Sequence, residues 1–177
     1  MSASPSASPS PADNCVIDQQ QTSDTNVLDF GYDDFQHIAQ SFIPSKTAYI
    51  CGIRLLLSRV GSPTGTVRVE IHPDSAGVPD ENTILGYSEA TNLSDIGTTK
   101  EGRFFSFTTG TVKLSFGVKY WFSVHVSVLG DISNHMHAQV GASDVVDPYA
   151  RGTALKQDHE AGWVVLGFAT YEDLYFQ

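Results

Sequence analysis

The stretch KYWFSVHVSV, residues 119–128, decides the fold class. Tyr120, Phe122, Val124, Val126 and Val128 fall on one side at a period of two, and Trp121, Ser123, His125 and Ser127 fall on the other. That period belongs to a β-strand with one face in a core. Upstream, AYICGIRLLLSRV (48–60) repeats the pattern, with Cys51, Ile53, Leu55 and Leu57 on the face expected to point inward and Gly52, Arg54, Leu56 and Ser58 on the other. TVRVEIHPD (66–74) alternates Val67, Val69 and Ile71 with Arg68, Glu70 and His72, the pattern of a half-buried strand.

HIAQSFIP, ended by Pro44, and RFFSFTTG, HMHAQV, TALKQD, GWVVLGFA and DLYFQ add further short strands. GSPTG, SAGVPDEN, GDISN and GASDVVDPYARG separate them as turns and loops. Strands with turns every ~8–12 residues and no long helix predict an all-β, antiparallel β-sandwich or barrel.

The chain of 177 residues has room for one domain. Residues 1–13, MSASPSASPSPAD, have no apolar face and read as a Ser/Pro-rich linker or arm, leaving 14–177 as the folded domain. With 20 acidic against 10 basic residues and a charge of −10, nucleic acid and anionic membrane are poor partners, since both need clustered Lys and Arg. No apolar run is long enough to span a membrane, and the polar start lacks a signal-peptide core. The two cysteines, Cys15 and Cys51, form either one disulfide, closing a loop of about 36 residues, or two buried thiols.

The order DQQQ, AQSFIP, GIRLLLSRVGSPTGTVRVEIHPDSAGVPDENTILGYS, GVKYWFSVHVS, DPYARG, GW and DLYFQ resembles a bacterial and phage β-jelly-roll domain of the choice-of-anchor or DUF type. The resemblance covers residues 15–177, and GSPTGTVRVEIHPDSAGVPD is its most specific piece. It implies a jelly roll similar to carbohydrate-binding modules, appended to a larger protein and without catalytic residues. It also implies a closing strand Asp-Leu-x-Phe, matched by Asp173, Leu174 and Phe176. The terminal YEDLYFQ, which differs from a common protease tag at Asp173, is therefore expected to complete the sheet. The cysteines are not part of the family pattern.

The candidate ligand site is the polar face of two strands: Arg68, Glu70 and His72 beside Trp121, Ser123 and His125. There an exposed indole would stack on a pyranose while the polar groups bond its hydroxyls. The competing reading has Trp121 covered by a loop and the charges solvating the sheet. Tyr149 and Trp163, in loops at one end, offer a second sugar site, unless Trp163 plugs the core.

His135 and His137, at i and i+2, present two imidazoles on one strand face, and with His72 or His125 nearby would suit zinc or copper. A structural calcium would be held by Asp173, Asp18 and Glu172. Asn92 heads a glycosylation sequon. No nucleophile–base pair, phosphate loop or framed carboxylate pair stands out, so the chain is expected not to be an enzyme. The reading is a non-catalytic module at the cell surface or outside the cell, binding carbohydrate or a surface glycan. The alternative is an assembly subunit of a phage tail or surface fibre, in the virion, contacting neighbouring domains or copies of itself.

Overall fold

The computed structural model describes residues 16–33, 35–108, 110–143, 149–165 and 171–177. The expected linker and Cys15 lie outside them. Strands in chain order are β1 (Asn26–Phe30), β2 (Phe35–Phe42), β3 (Ala48–Tyr49), β4 (Gly52–Val60), β5 (Thr66–Ser75), β6 (Val78–Pro79), β7 (Gly86–Tyr87) and β8 (Thr91–Asn92). After a short 3-10 turn at Leu93–Asp95 come β9 (Glu101–Ser106), β10 (Lys113–Leu114), β11 (Tyr120–Val126), β12 (His135–Ser143), β13 (Ala154–Asp158), β14 (Gly162–Val165) and β15 (Tyr171–Leu174).

All the strand pairings are antiparallel. One sheet runs β1-β12-β4-β9, with β15 added on β12; a second runs β14-β13-β2-β11-β5-β6, with β7 and β8 also on β5; β10 and β3 form a separate two-stranded sheet. The protein is an all-β antiparallel sandwich. The GSPTG turn carries the chain from β4 in one sheet to β5 in the other, and Gly61 (φ 62°) and Gly65 (φ 97°) stand at its ends. A Cβ on Gly61 would lie 2.1 Å from the Ser133 carbonyl oxygen, so only glycine fits there.

The core between the sheets follows the alternation. Leu55 and Leu57 of β4, Val67, Val69 and Ile71 of β5, and Phe122 and Val124 of β11 are all buried in it. Two expectations from the same pattern fail. Val128 lies beyond β11 and is exposed, because the strand ends at Val126. Glu70, His72, Ser123 and Trp121 are buried although they stand on the face expected to be solvated.

That second face is covered. Residues 80–83, following the β5–β6 hairpin, fold over it, and the carbonyls of Asp80 and Thr83 lie 3.1 and 3.2 Å from His72 Nδ1. Glu81 Oε1 accepts bonds from Trp163 Nε1 at 2.8 Å and Gln157 Nε2 at 2.6 Å. These bonds tie the β5 side of the sheet to β13 and β14 on its opposite flank. Underneath lies a second apolar cluster of Ala39, Trp121 and Leu155, with Val78 and Trp163 against it.

The last residues are built into the fold. β15 pairs with β12, after which Phe176 bridges to Leu55 and to Gln21, filling the gap where β12 and β4 diverge. Leu174 and Phe176 are core residues. Cys51 is disulfide-bonded.

Candidate functional site

The polar constellation of β5 and β11 is assembled by register. Glu70 faces Ser123, His72 faces Trp121 and Arg68 faces His125 across the ladder. His72 Nδ1 faces two carbonyls, to which only an N–H can donate, and its Nε2 lies 2.8 Å from the Ser123 hydroxyl oxygen. Ser123 Oγ also lies 2.9 Å from His125 Nε2. Glu70 Oε1 takes the Arg68 Nε–H at 2.8 Å, and its other oxygen lies 3.5 Å from His72 and 3.4 Å from His125.

Burial pushes the Glu70 carboxyl up, but the bond from His72, the His125 charge and Arg68 outweigh it and hold it down at about 2. His37 on β2 stacks on His125 with ring centroids 4.0 Å apart. Its burial, with His125 beside it, pushes its pKa down to about 3, and burial likewise lowers that of His125.

This network is closed rather than open to a ligand. Trp121 is 0% exposed and its indole N–H donates to Asp74 Oδ1 at 2.7 Å, with Lys119 Nζ 5.0 Å from the ring centre. The expected stacking platform is therefore a core side chain, because Val78 and Trp163 pack against the cluster it belongs to. Ser123 is buried and carries two hydrogen bonds, which leaves no route to an external carbonyl. Tyr149, expected at a loop rim, is buried too: its ring packs edge-on against Phe176, and burial raises its pKa to about 12. Trp163 is half-buried against the second cluster, bonded to Glu81, rather than a plug of the main core.

Of the expected calcium ligands, Asp173 and Asp18 are each engaged by protein donors. Asp173 is buried, with Oδ1 accepting Gln40 Nε2 at 2.8 Å and Oδ2 accepting the Tyr149 N–H at 3.0 Å. Asp18 bonds the backbone N–H and hydroxyl of Ser45. The side chain of Glu172 lies outside the described residues. Asn92 is exposed, its amide bonded to Asp95.

His135 and His137 share one face as expected, but their partner is Asp29 on β1. His72 and His125 belong to the other sheet. Asp29 was not marked by the sequence pattern, since the pairing of β1 with β12 joins residues far apart in the chain.

An open cavity of about 540 Å³ lies at one end of the sandwich. Phe42 and Pro44 at the end of β2, Tyr49 of β3, Arg54 of β4, Phe104 of β9 and Phe176 line it, along with Val16, Ile17 and Lys46. Tyr49 is 54% exposed and Phe104 37%. Neither Lys46 nor Arg54 has an ion-pair partner within 4 Å among the described residues. Tyr49 and Phe104 carry no periodic or motif signal, and only the folding of β3 and β9 around the start of β4 brings them to one opening. Comparison of the chain with family models, with curated proteins and with solved structures finds no match to any of them.

Proposed function

We propose that the chain is a non-catalytic extracellular binding module for carbohydrate, built as the jelly roll its motifs resemble, with its site at the end cavity. The observation that carries this reading is the cavity itself: about 540 Å³, walled by apolar and aromatic side chains, with an exposed Tyr49 ring and the cations Lys46 and Arg54, neither in an ion pair within 4 Å among the described residues. An aromatic ring takes the apolar face of a pyranose, and a few polar groups orient its hydroxyls or a carboxylate. The disulfide at Cys51 supports an oxidising, extracellular setting. The burial of Ser123, Glu70 and His72 supports a role without catalysis.

A glycan array probed with the wild type and with Tyr49→Ala tests the proposal. Wild-type binding that Tyr49→Ala weakens about 10-fold or more, at unchanged thermal midpoint, is the expected result, since loss of one stacked ring costs on the order of 1–2 kcal/mol. An array blank for the wild type removes the carbohydrate reading.

The assembly reading has one observation in its favour. Val16, Ile17, Tyr49 and Phe104 are exposed apolar residues around the same opening, where a segment of a neighbouring copy would bury them. Light scattering across a concentration series separates the two: a stable oligomer dispersed by Tyr49→Ala favours assembly.

A further inference from the structure

On the outer face of the first sheet, Asp29 of β1 stands directly opposite His137 of β12, and His135 lies two residues along the same face. Met136, between the two histidines, points into the core, which fixes their outward direction. Asp29 Oδ1 is 3.0 Å from His137 Nε2 and 3.7 Å from His135 Nε2. The ligand atoms of a tetrahedral zinc ion with bonds of about 2.0–2.1 Å stand about 3.3 Å apart. The two distances from Asp29 bracket that spacing, and the ligand atoms of all three groups lie within 4.8 Å of one another.

His135 supplies an independent observation. Its side chain is 5% exposed, and both ring nitrogens are buried without a hydrogen-bond partner among the described residues. A buried imidazole left so costs free energy unless something binds it. The ring of Tyr32, 5.3 Å from that of His135, stands against it, while His137 and Asp29 keep 29% and 42% exposure and leave the approach open to solvent. The Glu70, His72 and His125 group has similar spacing, but Ser123 and the carbonyls of residues 80–83 already occupy its histidine nitrogens.

We propose that Asp29, His135 and His137 form a binding site for a divalent transition-metal ion of the zinc class. Two imidazole nitrogens and one carboxylate oxygen suit zinc, whereas calcium and magnesium require more oxygen ligands. Three protein ligands leave the fourth position to water or to an external ligand. The site lies on a different sheet face from the end cavity and stands or falls independently of the carbohydrate reading.

The test is calorimetric titration of Zn²⁺ into the full chain, without a polyhistidine tag and after chelator treatment. One saturable ion per chain is expected. Asp29→Asn and His137→Ala should each weaken it at least about 10-fold, the lower end of what even removal of groups outside the ligand set costs. Both positions are partly exposed, so the fold should persist, which circular dichroism checks. His125→Ala should bind as the wild type does. Absence of a saturable ion, wild-type affinity in both Asp29→Asn and His137→Ala, or a loss confined to His125→Ala would each overturn the assignment.

Discussion

At the scale of single residues, Trp121 shows how one side chain changes meaning with its cover. The alternation that marks β11 is the same whether its second face meets water or protein. Trp121, Ser123 and His125 include no charged group, and that was the local hint that this face is closed. The indole is fully buried and its N–H is satisfied by Asp74, so its removal leaves a cavity and takes one donor from a carboxylate that keeps Lys119 and the Gly77 N–H. Trp121→Ala is expected to cost about 3–5 kcal/mol in urea unfolding. Asp74→Ala, which strands the indole N–H, should cost about 1–3 kcal/mol. A loss below 1 kcal/mol for Trp121→Ala would return this residue to the surface. His135 and His137 were legible as a pair from their spacing alone, whereas Asp29 was not, because a ligand supplied by a cross-strand neighbour depends on a register that no local pattern encodes.

At the scale of elements, the C-terminal segment holds the two sheets together. Gln40 of β2, in the second sheet, donates to the Asp173 carboxylate and accepts the Leu174 N–H, while the Asp173 carbonyl accepts from Gln21. The alternation of Leu174 and Phe176 made a core strand readable. The role of Asp173 was not, since an isolated Asp looks the same whether it binds a cation or backbone and amide donors. Phe176 is 3% exposed and packs against Phe122 and Tyr149. Phe176→Ala should therefore cost about 3–5 kcal/mol, and deletion of residues 173–177 should prevent cooperative folding. A truncated chain that kept the wild-type thermal midpoint would show the segment to be an appendage. The strands β4, β5 and β11 were legible because each carries a one-sided apolar run. The cover over β5 and β11 was not, because it rests on Glu81 reaching Gln157 and Trp163, far along the chain.

At the scale of the whole molecule, the buried imidazoles make stability a function of pH in a stated direction. His37 has its pKa lowered from 6.5 to about 3 in the folded chain, so below pH 6.5 the unfolded chain binds a proton that the folded chain refuses. Protonation then favours unfolding, and stability falls as pH drops from 6.5 toward 3. The charged neighbours point the same way or are overcome: His125 opposes a second positive charge at 4.0 Å, and the attraction of Glu70 does not offset burial. Glu70 adds a later window. Its carboxyl is held at about 2 against 4.5 unfolded, so its stabilisation is complete above pH 4.5 and is lost as pH falls toward 2. Countering both, the net charge of −10 shrinks on the way to the isoelectric point near 4.8 and relieves self-repulsion. The two effects separate by comparing the wild type with His37→Phe, which keeps a ring against His125 but cannot titrate. Their urea stabilities should run parallel above pH 6.5 and diverge below it, the wild type losing about 2 kcal/mol more by pH 5. Parallel curves down to pH 4 would mean that His37 accepts its proton in the folded chain and that the second face of the sheet opens to water.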